Sequence, residues 1–177
     1  MMRIACQDLL IRNAQKADCA RLAAWWNDGA VMAHAGFPLG LGISAEQIWR
    51  QIRTDTDDTR RRLIIEYRGV PIGECSFRRL ENRCAEIGIK ICDPAYQEKG
   101  LGRIILSMLI DGLFSMGCEK IILDTNLNNT RAQHVYELLG FQRVGVRPDS
   151  WTDQMGVSQS AVDYALTPAS FVSWIRG

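Results

Sequence analysis

Gly100 and Gly102, within Tyr96-Gln97-Glu98-Lys99-Gly100-Leu101-Gly102-Arg103, fall where a strand should give way to a helix. The first turn of a helix offers unpaired amides and the positive end of its dipole, and glycine lets a phosphate approach that backbone closely, so this turn could hold a pyrophosphate. Further along, Asn129 and Tyr136 are seven residues apart. That is close to two helical turns, so an amide and a phenol project on nearly one face, with the small Ala132 between them leaving room for a ligand. Taken singly, each feature also has an ordinary reading. A G-x-G turn can merely pack a helix on a sheet, Asn129 can be a helix cap, and Tyr136 a buried aromatic with a satisfied hydroxyl.

The elements that must position these residues follow from periodicity. Ile87, Ile89 and Ile91 alternate with Glu86, Gly88 and Lys90 as a half-buried strand over 85–92, which Pro94 stops. Ile105, Leu106, Leu109, Ile110, Leu113 and Phe114 recur at helical spacing until Gly117. Upstream, Leu9 and Ile11 suggest a strand. Asp18 is placed to cap a helix carrying Leu22, Trp25 and Trp26, and Ser44 with Gln47 fits a capping box. Segments 63–67 and 72–80 read as strands joined by a hairpin turn at Arg68-Gly69-Val70-Pro71. A short strand over 120–124, a helix over 129–139 ending at Gly140, and strands over 141–147 and 161–166 complete the chain. The order β-α-α-β-β-β-α-β-α-β-β predicts an α/β fold of the α+β type. It has one mixed, mostly antiparallel sheet of about seven strands flanked by about four helices, with a parallel crossover around the glycine-turn helix.

Composition limits the alternatives. The chain has 177 residues, 47% hydrophobic, with a formal net charge of +1, which suits one domain with a substantial core and argues against a general nucleic-acid surface. Arg60, Arg61 and Arg62 read as a solvated loop before a strand, with a local role in drawing in an anionic ligand left open. Six cysteines lack metal-ligand spacing and read as reduced packing residues; only His34 and His134 are available, so no metal site is expected. No signal peptide or membrane-length apolar run is evident, and a soluble cytoplasmic protein without a membrane partner is the simplest expectation.

Together the motifs Q-x-x-G-x-G and N-x-x-A-x-x-x-Y-x-x-x-G-F, with a short strand between them, resemble the acetyl-CoA-binding core of the GNAT superfamily of N-acetyltransferases; the resemblance covers roughly 85–141. It implies one N-acetyltransferase domain over 1–177, with a sheet splayed between its fourth and fifth strands to admit acetyl-CoA. Amino-terminal helices over about 18–53 would shape the acceptor pocket. It implies direct acetyl transfer to a primary amine of a peptide or small molecule, such as a protein N-terminus, polyamine, aminoglycoside or amino sugar. By the same resemblance, Lys90, Ile91 and Cys92 would bond the pantetheine arm and an oxyanion. Glu98, Lys99, Gly100, Leu101, Gly102 and Arg103 would hold the pyrophosphate, Gln97 would also contact the cofactor, and Asn129 would fix the pantetheine. Tyr136 would be the general acid, while Asp124, Glu86 or a water chain would be the base. Many members are dimers, so a homodimer is compatible with the resemblance. Trp25, Trp26, Phe37 and Trp49 could face an acceptor, although core packing is the plainer reading for most of them.

Two other functions compete. A dinucleotide-binding oxidoreductase is suggested by Asp124, 24 residues after Gly100, but Ile105 occupies the position of the third small residue and the early meander does not suit a doubly wound sheet. A non-catalytic acyl-CoA sensor would keep the same groove.

Overall fold

The computed structural model describes residues 1–175. The strands are β1 (Arg3–Cys6), β2 (Leu9–Asn13), β3 (Arg60–Tyr67), β4 (Val70–Arg79), β5 (Cys84–Ile91), β6 (Lys120–Asn126), β7 (Gln142–Thr152) and β8 (Ser158–Leu166). The helices are α1 (Cys19–Trp26), α2 (Gly29–Met32), α3 (Ala45–Ile52), α4 (Leu101–Ser115) and α5 (Thr130–Leu138). One eight-stranded sheet runs β1-β2-β3-β4-β5-β6-β8-β7. All neighbours are antiparallel except β5 and β6. The strand beyond the expected seven is β1, which pairs with β2 through a turn in which Gln7 takes a positive φ of 52°. The additional helix is the short α2, capped by Asp28 through the Ala30 amide. None of the helices is long and apolar enough to cross a membrane among the described residues.

The sheet opens at its parallel pair. β5 and β6 are in register only from Cys84–Glu86 against Lys120–Ile122, and then β5 runs on to Ile91 and β6 to Asn126 without pairing each other. Counted from β2, this is the expected splay between the fourth and fifth strands. One apolar cluster fills the face beneath α4 and α5, with Ile105, Leu109, Ile121, Tyr164 and Phe77 among its buried members. A second, built from Leu22, Trp26, Ile48 and Ile64, fixes α1 and α3 on the opposite face.

Several local expectations hold and two do not. Ser44 and Gln47 form the capping box on α3, at 2.8 and 3.2 Å. Arg68 and Gly69, both at positive φ, make the two-residue turn between β3 and β4. Asp18, by contrast, does not cap α1. A 3-10 turn over Lys16–Asp18 precedes that helix, and the Asp18 carboxylate instead accepts from the Gln15 amide and both terminal nitrogens of Arg12. Nor are Arg60, Arg61 and Arg62 a solvated loop: they begin β3, and each is paired with a carboxylate, of Asp55, Asp57 and Glu74 respectively. Their cross-strand partners on β4 keep them in the ladder rather than in a loop, although the Arg60 side chain stays largely in solvent. All six cysteines are free thiols.

Candidate active site

The splay forms a gap of about 800 Å³ between β5, the turn before α4, α5 and β6. Its floor at one end is the glycine turn. Glu98 and Gly100 both take positive φ, 59° and 73°, which wraps the chain into the start of α4. A Cβ on Gly102 would meet nothing within 4 Å, so the first turn of α4 presents bare backbone to the gap. Arg103 lines the gap too, its guanidinium held 4.5 Å above the Trp174 ring. Glu98 reaches Arg131 of α5 at 3.2 Å, an exposed pair between the turn and α5. Gln97 also lines the gap, and its side-chain amide donates to the Ile91 carbonyl at 2.9 Å, tying the turn to the end of β5.

The β5 wall has a polarity that follows from strand alternation. The Cys92 amide donates to the Ile72 carbonyl at 2.9 Å, so it belongs to the ladder with β4. Amides of alternate residues share a direction, so that of Lys90 also turns to β4, while those of Ile89 and Ile91 face the opened edge. The predicted trio of donors at Lys90, Ile91 and Cys92 is thereby reduced to Ile91, joined by Ile89. Cys92 is buried and Lys99 lies outside the gap lining. The Lys90 side chain rests with Nζ 2.9 Å from the Met32 sulfur, and burial lowers its pKa.

Across the gap, Asn129 does two things. Its Oδ1 caps α5 through the Ala132 amide at 3.3 Å, and its Nδ2 is 3.3 Å from the Thr125 hydroxyl. Tyr136, two turns on, is 7% exposed, with its ring against Phe141 and Tyr164 at centroid distances of 5.8 and 5.7 Å. Its hydroxyl has no hydrogen-bond partner among the described residues, yet it is not sealed from solvent. Burial, reinforced by the negative charge of Asp124, pushes the phenol up to about 12. It is a proton donor throughout the neutral range.

The two candidate carboxylates separate. Asp124, on β6, lines the gap and also a second depression of about 450 Å³ on the sheet face beside α1 and α3. It accepts from Arg147 Nη2 at 2.7 Å, and Arg147 also clasps Asp163 at 2.9 Å. Glu86 lines only the second depression, paired with Arg78 at 3.0 Å. The cavities meet at Ile87, Gly88 and Asp124. Of the four amino-terminal aromatics, Trp26 is buried and donates to the buried Glu74 at 2.7 Å, while Trp25 and Trp49 pack on the second core cluster. Phe37 stays 37% exposed. Arg147, Trp151 and His34 line the gap without having been singled out from sequence. Arg147 reaches β6 from β7, an approach that depends on β8 being inserted between those strands, and no local pattern announces that order.

Residues 30–141 match the model of the acetyltransferase (GNAT) family. The L-amino acid N-acyltransferase MnaT of Escherichia coli is 31% identical over 156 residues, which cover 81% of this chain and 88% of that protein. The ribosomal protein bS18 alanine N-acetyltransferase of Haemophilus ducreyi is 32% identical over 74 residues, 42% of this chain, and the match spans about half, 51%, of that relative's length. The structure of yncA, a putative acetyltransferase of Salmonella typhimurium with its cofactor acetyl-CoA, superposes with a TM-score of 0.74 at 25% identity, over 90% of this chain and 94% of that one. With the splayed sheet, the glycine turn and these matches in agreement, the chain belongs to the acetyltransferase (GNAT) family.

Proposed function

We propose that this chain is an N-acetyltransferase, acting as one domain, that moves an acetyl group from acetyl-CoA to the primary amine of a small molecule or peptide. The observation that carries the reading is the Tyr136 hydroxyl, protonated and without a partner among the described residues, in a gap that ends in a bare helix N-terminus. The relatives named above act on an L-amino acid and on a ribosomal-protein alanine, both amines, and the yncA structure holds acetyl-CoA.

Glu98 to Arg103 would hold the pyrophosphate on backbone amides, with Arg103 adding charge. The Ile89 and Ile91 amides, and Asn129 from the other wall, would hold the pantetheine arm. Bound acetyl-CoA supplies the activated acyl carbon. An alkyl ammonium, with a pKa of about 10.4, must lose a proton before attack. Asp124, which lines both cavities, is the first choice for that proton; Glu86 is the rival, and a water chain could link either to the amine. A strand-edge amide facing the gap would stabilise the oxyanion, and Tyr136 would protonate the departing sulfur. The non-catalytic sensor requires no such donor.

Thermal stabilisation by acetyl-CoA, followed by thiol release with a panel of amines, tests this. Stabilisation by NAD and not by coenzyme A would overturn it, and tight acetyl-CoA binding with no amine consumed would favour the sensor. Asp124→Asn and Glu86→Gln, compared for kcat, would assign the base.

A further inference from the structure

The acetyl-transfer reading leaves the Arg60-Arg61-Arg62 motif unused, and the depression it borders opens onto the reaction point. Strand register lays out its floor. Arg60 stands opposite Arg78 and Arg78 opposite Glu86, while in the next rung Arg62 faces Ser76 and Ser76 faces Gly88. Ser76 and Gly88 are small, and a Cβ at Gly88 would already approach the Ser76 hydroxyl at 3.4 Å, so the hollow exists because this rung lacks bulk. Trp26, Gln51 and Ile52 wall it from the helix side.

The charges of this hollow are unevenly spent. Of the carboxylates in its lining, Asp55 is matched by Arg60 at 3.2 Å and Glu86 by Arg78 at 3.0 Å, while Asp124 shares Arg147, at 2.7 Å, with Asp163. The arginines are not exhausted in return. A guanidinium has five N–H donors. Arg78 uses one of them and Arg60 two, and both side chains remain more than half exposed, at 58% and 59%. The lining holds four arginines, Arg60, Arg61, Arg62 and Arg78, against three carboxylates, so its balance is cationic. A second ammonium would find only the half-matched Asp124 there, whereas a carboxylate or phosphate would find two guanidinium forks suited to bidentate binding.

We propose that the acceptor is an amine carrying a carboxylate or phosphate a few bonds away, its acid held by Arg78 and Arg60 and its nitrogen directed to the junction at Gly88 and Asp124. This rests on the acetyl-transfer reading and names its substrate class. The step balances: a C–N bond forms as the thioester C–S bond breaks, the amine proton leaves to Asp124, Glu86 or water, and the thiolate takes a proton from Tyr136. The products are an N-acetylated acid and coenzyme A. The nearby guanidiniums also disfavour the protonated amine, which helps it reach the nucleophilic form.

The test compares β-alanine and O-phosphoethanolamine with the uncharged ethanolamine and with spermidine, by thiol release at pH 8. Either acidic amine should exceed ethanolamine in kcat/KM by at least tenfold, and the better of the two identifies which acid is preferred. Arg78→Gln and Arg60→Gln should each cut that acid-to-neutral ratio about tenfold, a ratio insensitive to any general effect on the neighbouring Glu86. Turnover led by spermidine or ethanolamine, or a ratio unmoved by both substitutions, overturns this inference and leaves acetyl transfer standing. Should acetyl-CoA itself fail to bind by calorimetry, acetyl transfer fails and the inference with it. Should acetyl-CoA bind but no amine react, calorimetry of β-alanine and O-phosphoethanolamine on the coenzyme A complex decides: binding weakened by Arg78→Gln supports the inference, and no binding overturns it.

Discussion

The two sides of the splay treat the same kind of backbone in opposite ways. From β1 to β5 every strand is laddered antiparallel to the next, and β4 pairs with β5 over its full usable length, from Arg79–Ala85 to Gly73–Ile91. Between β5 and β6 the pairing stops after three residues. In the meander, hydrogen bonds are internal and stability is their product. At the splay, the amides of Ile89 and Ile91 are withheld from any strand and left for a ligand. Side chains follow the same division. Polar groups of the meander, such as Glu74 with Trp26 and Arg62, are satisfied within the protein, whereas Tyr136 at the gap has no partner for its hydroxyl among the described residues.

Substitutions on the two sides should therefore fail differently. Tyr136→Phe should lower kcat about 10²-fold, in the range for loss of a general acid, with unchanged acetyl-CoA affinity and little change in melting temperature. Because burial holds the phenol near 12, the acid stays protonated below about pH 10, and the kcat/KM profile should show no descending limb from it there. A drop beginning near pH 8 would mean that another group supplies the proton. Gly73→Ala, on the meander side, should act first on stability. Its Cβ would press on the Lys90 carbonyl and on the Ile91 Cα, which is 2.9 Å away, both of them backbone that cannot step aside. A loss of roughly 1–3 kcal/mol in denaturant unfolding is expected, and a neutral result would show that β4 and β5 can slide apart there.

What the sequence made legible divides along the same line. The glycine turn, α5 with Asn129 and Tyr136 on one face, and the alternating isoleucines of β5 each depend on neighbours within a dozen residues, and each lies where periodicity put it. The β1 strand leaves little trace in the sequence because four residues, Arg-Ile-Ala-Cys, give too little alternation. Asp18 looked like a cap because of its place before an apolar helix. Its carboxylate was taken instead by Arg12, six residues earlier on β2, a competitor that spacing does not reveal. Likewise, Arg147 against Asp124, and the hollow between Arg60, Arg78 and Gly88, exist only through strand order and register.

Asp18 supplies a pH test of the meander. Burial alone would raise its pKa, but hydrogen bonds from Arg12 and the Gln15 amide outweigh that and hold it below the usual carboxylate value. A carboxylate depressed by folding adds stability above its unfolded pKa of about 3.9, and loses it as pH falls through the lower folded value. Asp18→Asn should thus cost about 1–3 kcal/mol at pH 7, and the difference from wild type should narrow as pH falls below about 4. A gap that stays constant down to pH 2 would assign the loss to packing.

The smallest effect is the most discriminating, because its two signs oppose each other. Gly102 lies in the first turn of α4 without a positive φ, and nothing is within 4 Å of the Cβ it lacks. Alanine there should stabilise the helix, by about 0.5–1 kcal/mol if the position behaves as helix interior and less so near the cap. The same methyl group would stand between the α4 amides and any bound pyrophosphate, weakening acetyl-CoA several-fold. A glycine that merely packed a helix on a sheet would show the opposite pairing, with stability lost and affinity untouched. Melting temperature and acetyl-CoA calorimetry on this one variant thus separate a turn kept bare for a ligand from a turn kept bare for folding.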